Sequence, residues 1–191
     1  MNLDDPAIYE QIDPSSVHRT LSIAPEYAPS VAAAINPAKR SAGQIMERVP
    51  ILLAVADALP AAYYWQRQLN GLAKQFAVVQ SLSNFATFGS DGLFFPQNLN
   101  RQLTVLILNT PAAKSAADAH LIDTARLICM HMGIAVDVIA GQGDNSEAQT
   151  TSLLILGDYV AYYVAIANGV DPALRPATAE FQARLAHPPS S

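Results

Sequence analysis

The chain has 191 residues, 51% hydrophobic and 14% charged, with 11 basic against 16 acidic side chains and a net charge of −5. That apolar content supplies the core of one domain and excludes general disorder. The acidic balance, with three scattered lysines (Lys39, Lys74, Lys114), argues against nucleic acid, and a single cysteine, Cys129, excludes an intramolecular disulfide or Cys-rich metal site and fits a reducing compartment.

Residues 1–43 read as a helical N-terminal arm. Met1 to Glu10 is acidic and has no apolar core of a signal peptide, so no export is expected. Pro6, Pro14, Pro25, Pro29 and Pro37 divide the arm into short pieces. Asp13-Pro14-Ser15-Ser16 is a helix start, with Asp13 as N-cap and Val17, Thr20, Leu21 and Ala24 on one face; Ser30 to Ile35 reads as an alanine-rich helical stub.

Residues 44–186 carry a different pattern. Val49–Val55, Phe76–Leu82, Leu103–Leu108 and Ala135–Ala140 are continuous runs dominated by apolar residues, as in strands buried on both faces of a parallel sheet. Helices alternate with them. Ala61–Gln75 follows Pro60 and aligns Ala62, Trp65, Leu69 and Leu72; His120–Met132 ends at Gly133; Thr150–Asn168 is apolar nearly all round and ends at Gly169; Thr178–Leu185 is short. Residues 187–191 read as a disordered tail. No uninterrupted apolar run approaches the roughly 18 residues of a membrane span. The fold expected is α/β, a three-layer αβα sandwich with a parallel sheet, cytoplasmic, and binding its ligand at the carboxyl ends of the strands. The loops there are Ala56–Pro60, Ser83–Pro96, Asn109–Ala119 and Gly141–Thr151.

No phosphate-binding glycine loop follows the first strand, where Ala56-Asp57-Ala58-Leu59-Pro60 carries an acid. Gly141-Gln142-Gly143 lacks the third glycine and the downstream acid of a dinucleotide site, and reads as a strand-to-helix loop with Ser146 or Thr150 as N-cap. The loop from Ser83 to Gly92 offers Ser83, Asn84, Thr87 and Ser90 as neutral donors to a sugar or phosphate; the alternative is a turn-rich loop covered by its own phenylalanines. His18, His120, His131 and His187 share no metal-ligand spacing, so no metal or other cofactor is expected. Cys129 reads as a buried helix residue, and Asp158, inside an apolar helix, as structurally paired or else functional.

Three stretches together resemble one family. Gln68-Leu69-Asn70-Gly71-Leu72-Ala73-Lys74 looks like the "QLNENAK" helix of bacterial and archaeal bifunctional phosphoglucose/phosphomannose isomerases. Gly157-Asp158-Tyr159-Val160-Ala161-Tyr162-Tyr163 and Gly169-Val170-Asp171-Pro172 resemble their "GDYVSYYLA…GVDP" segment, and Val49-Pro50-Ile51 the start of their second sugar isomerase (SIS) domain. Asp5-Pro6 and Asp13-Pro14-Ser15 are similar to the family's arm. The resemblance implies an SIS-like domain for sugar phosphates. Family members carry two such domains, whereas this chain has room for one, and a homodimer would recreate the pair. The catalytic side chains implied by the resemblance are replaced: Gly71 stands where the family has its base Glu, Thr87 where it has a ring-opening His, and Gln182 where it has a Lys. The expectation is a sugar-phosphate-binding or regulatory domain without turnover, with Asn70 and Lys74 either touching the ligand or lying on the helix surface. Two alternatives remain open here: an active isomerase using Asp91 or Asp158 as base, or a protein-binding scaffold.

Overall fold

The computed structural model describes residues 22–113 and 115–186. The helix start at Asp13, Lys114, His18, His187 and the tail expected over residues 187–191 lie outside them. Among the described residues the elements run α1 (Pro37–Ile45), β1 (Val49–Ala54), α2 (Leu59–Gly71), β2 (Val78–Ser81), β3 (Leu103–Asn109), α3 (Ala116–His131), β4 (Ala135–Ala140), α4 (Ser146–Ala167) and α5 (Pro176–Ala186), with short helical turns from Leu82 to Gln102 between β2 and β3. The four strands are parallel in the order β2-β1-β3-β4. α1 and α2 both pack on α4, and α3 packs against β4, giving helices, sheet, helices. The three-layer α/β sandwich read from the sequence is the fold found.

Burial explains the strand composition. Every residue of β3 is buried, and β1 beside it is nearly so; the edge strands β2 and β4 are mostly intermediate or exposed. Pro50 is tolerated in the central strand because the pairing of β1 with β2 begins only at Ile51.

Several boundaries differ from the sequence reading, each for a local reason. Ser30–Ile35 forms turns rather than a helical stub. The helix starts at Pro37, since the residue before a proline is pushed out of helical conformation, and Asn36 caps it by accepting from the Lys39 N–H at 3.1 Å. β2 begins two residues later than expected because side chains take both backbone groups of Ala77. Its N–H donates to Asn70 Oδ1 at 3.1 Å and its carbonyl accepts from Gln66 Nε2 at 2.8 Å. α2 stops at Gly71, and Lys74 follows in a left-handed conformation at φ 53°. α3 starts earlier than expected, on a Ser115/Asp118 capping box. The N-cap of α4 is Asn145, not Ser146 or Thr150.

One seam ties together the helices of one layer. On α2, Trp65 is fully buried and its indole N–H donates to the Leu153 carbonyl of α4 at 2.6 Å. A methyl group on Gly157 would lie 2.5 Å from the Trp65 ring, so only glycine lets the helices approach this closely. The start of the described chain is clamped to α4 and to α1. Tyr163 donates to the Tyr27 carbonyl, Tyr27 stacks edge-on against Tyr159 at 5.6 Å, and Lys39 Nζ donates to the carbonyls of Pro29 and Val31, both at 2.7 Å. α4 is long and apolar enough to cross a membrane by length and composition. Its contacts with both α1 and α2 account for that composition. Gly157→Ala is expected to cost about 1–3 kcal/mol by overpacking, read as a lower denaturant midpoint at unchanged slope.

Candidate functional site

The carboxyl ends of the strands gather the polar loops. Where β1 and β3 lie side by side, their following loops lead to helices on opposite faces, which is the crevice where ligands of open α/β sheets bind. Asp57 is exposed there. Asn109 and Thr110, at the end of β3, are buried, and Asn109 Oδ1 and Thr110 Oγ1 make no hydrogen bond among the described residues. No sequence motif singles out either residue. The available signal was an Asn-Thr pair closing an otherwise apolar run. The neighbouring Gly141–Gly143 turn is not open for a nucleotide, because Gln149 fills it: Nε2 donates to the Gly143 carbonyl at 2.9 Å and Oε1 accepts from the Ala112 N–H at 2.8 Å.

β2 leads directly into the loop that presents Ser83, Asn84, Thr87 and Ser90. It is helical rather than irregular. Ser81 caps a turn by accepting from the Asn84 N–H, and a wide turn over Phe85–Gly89 closes with the Ser90 N–H donating to the Phe85 carbonyl at 3.0 Å. Thr87 Oγ1 donates to the Ser83 carbonyl at 2.8 Å, and the Ser81 and Ser83 hydroxyls lie 3.3 Å apart. Phe85 is buried beneath this turn while Phe88 points out, so the phenylalanines cover the loop only in part.

The remaining predicted residues lie at the opposite end of β2. Asn70 is engaged in capping Ala77. Lys74 Nζ reaches the carbonyls of Gly71, Leu72, Asp171 and Pro172 at 2.9–3.4 Å, pinning the end of α2 to the segment before α5. Of the two readings of these side chains, the structure gives each an intramolecular task. The space a side chain at position 71 would enter faces Arg175, whose guanidinium lies 3.6 Å from where its Cβ would sit. No sequence motif marks Arg175. Gln182 lies exposed on α5, the helix after Arg175. Within one chain, then, Gly71 and Thr87 do not converge: they precede and follow β2.

Asp158 is paired. Its carboxylate accepts from the Tyr64 hydroxyl at 2.8 Å and from Gln68 Nε2, and Gln68 also donates to the Tyr64 oxygen at 2.9 Å. Burial and then the Asp158 hydrogen bond raise the Tyr64 hydroxyl to about 12, and burial, helped by Glu26, raises Tyr27 likewise. Cys129 is buried, which pushes its thiol up to about 11 and leaves it a poor nucleophile. Among the described residues no group of His, Cys, Asp and Glu has the arrangement of a metal site.

The family model described as the bacterial phosphoglucose isomerase C-terminal SIS domain matches residues 34–185. No curated protein matches the chain. Among solved structures, a glucose-6-phosphate isomerase-like protein from Thermus thermophilus superposes with a TM-score of 0.65 at 23% identity, over 83% of this chain and 51% of that one. The C-terminal domain of glucosamine-fructose-6-phosphate aminotransferase from Francisella tularensis gives 0.58 at 11% identity, over 83% and 43%. Glucosamine-6-phosphate deaminase from Thermotoga maritima gives 0.55 at 10%, over 90% and 50%. The chain thus spans about half the length of these structures, which share its fold.

Both raised tyrosines hold their protons to higher pH than the unfolded chain, whose tyrosines titrate near 10. Stability is therefore fully present below pH 10 and is expected to fall as pH rises towards 12. Tyr64→Phe should flatten that fall in melting curves recorded across the alkaline range. Cys129 should stay unreactive to a thiol reagent in the native protein and react fully once unfolded.

Proposed function

The chain belongs to the bacterial phosphoglucose isomerase C-terminal SIS domain family, and from that premise we propose that it binds a sugar phosphate without isomerising it. The observation that carries this reading is the set of side chains at the catalytic positions. Moving a proton between C1 and C2 of an aldose needs a positioned group that titrates in the working range. Gly71, Thr87 and Gln182 offer none, and the space at Gly71 faces a cation, Arg175. Loss of each acid–base group typically forfeits about 10²–10⁴-fold in rate.

Binding requires less. Ser83, Asn84 and Ser90 stand with Thr87 on the turn at the carboxyl end of β2, where hydroxyl and amide groups suit sugar hydroxyls and phosphate oxygens. Asp158 does not serve as a substitute base in this reading, because Tyr64 and Gln68 hold its carboxylate within the α2–α4 seam. We further propose a homodimer. α5 exposes Phe181 and Leu185, and the end of α4 exposes Tyr162 and Ile166, apolar area that a second copy would cover.

Fructose, glucose and mannose 6-phosphates, with inorganic phosphate as control, test the first proposal by thermal shift. A ligand at 100 times its Kd should add about 2.7 kcal/mol, raising the melting temperature by several degrees. The shift should shrink in a Ser83→Ala/Thr87→Ala variant, and no interconversion of the sugar phosphates should be detectable. Turnover by the purified protein, or no shift with any sugar phosphate, would refute it. Light scattering should give twice the chain mass at micromolar concentration, and a monomer there refutes the dimer.

A further inference from the structure

The helical turns between β2 and β3 border an open surface cleft of about 530 Å³ with the end of α3, at the amino-terminal end of β3 and away from the turn that carries Thr87. That volume is within the usual range for small-molecule sites. One wall is fixed: Asn100 Nδ2 donates to the Met132 carbonyl at 2.8 Å, tying the last turn before β3 to the end of α3. The apolar part is Leu93, which is buried, with Met132 and the exposed ring of Phe94. The polar part includes a guanidinium and an imidazole. Arg101 and His131 line the cleft, and among the described residues neither side chain makes a hydrogen bond or ion pair. No Asp or Glu lines it, although acids outnumber bases 16 to 11 in the chain.

We propose that this cleft is a second ligand site, for a small organic phosphate carrying a flat ring. Arg101 offers a planar fork of N–H donors that matches a phosphate edge, and His131 adds a further donor. The ring lies against Phe94 and Met132, which favour aromatic and polarisable contacts. The site is independent of the turn proposed above for sugar phosphates, but joined to it by continuous chain: residues 82–102 run from the end of β2 to the start of β3.

Phenyl phosphate is the probe, with inorganic phosphate and fructose 6-phosphate beside it, followed by calorimetry and amide chemical shifts of the full chain. Saturable binding of phenyl phosphate is expected with a Kd of about 1 mM or tighter, with shifts centred on residues 93–102 and 131–133. Arg101→Gln should weaken it at least about tenfold, roughly 1.4 kcal/mol, without lowering the melting temperature, since the side chain bonds to nothing in the free protein. Phe94→Ala should weaken phenyl phosphate but not inorganic phosphate. The Ser83→Ala/Thr87→Ala variant should still bind phenyl phosphate as wild type does, which separates this site from the sugar-phosphate reading. Absence of saturable binding, wild-type affinity in Arg101→Gln, equal affinity for inorganic and phenyl phosphate, or shifts confined to residues 81–90 would each overturn the proposal.

Discussion

The contact between Trp65 and α4 is the constraint on which this architecture turns. A full indole is buried at a helix–helix crossing, its one polar group satisfied by the Leu153 carbonyl, with Gly157 opening the room for the ring. The polar triplet of Tyr64, Gln68 and Asp158 sits at the same crossing. A buried N–H without a partner is costly, so the two helices have one register in which both the indole and the carboxylate are satisfied. Once α2 and α4 are locked, α1 and Tyr27 find their places on α4, and the sheet is covered on that side.

Much of the fold is legible in the sequence because its signals are local or periodic. β3 and β4 lie where the apolar runs place them, and Gly133 and Gly169 end their helices in left-handed conformation as expected. What escapes the sequence is settled by side chains acting on backbone. Ala77 is withheld from β2 by Asn70 and Gln66, which lie on the preceding helix. The rule that keeps Asn36 out of the helix is local, but the alanines at 32–34 advertise a helix that the Asn36-Pro37 step places later.

The candidate site is less legible, for a different reason. Motif residues are conspicuous in sequence whether they serve chemistry or scaffold. Gly157 and Asp158, part of the resemblance, build the helix crossing, and Lys74 directs its donors to carbonyls. Conversely, Arg175 and the buried pair Asn109 and Thr110 carry no motif, and only three-dimensional placement brings them forward. The hydroxyl-bearing turn after β2 is visible in both, since polar residues following an apolar strand mark the carboxyl edge of a parallel sheet.

The attachment of α5 has a consequence for how the molecule opens. None of its residues is buried, and among the described residues its approach is held chiefly by the Lys74 ammonium on the carbonyls of Asp171 and Pro172. An isolated helix of this length is marginal in water. In a single copy, its amides would therefore be among the least protected of the described residues, exchanging with solvent while the α2–α4 crossing stays closed. The helicity of α5 in solution becomes a direct gauge of whether something is packed upon it.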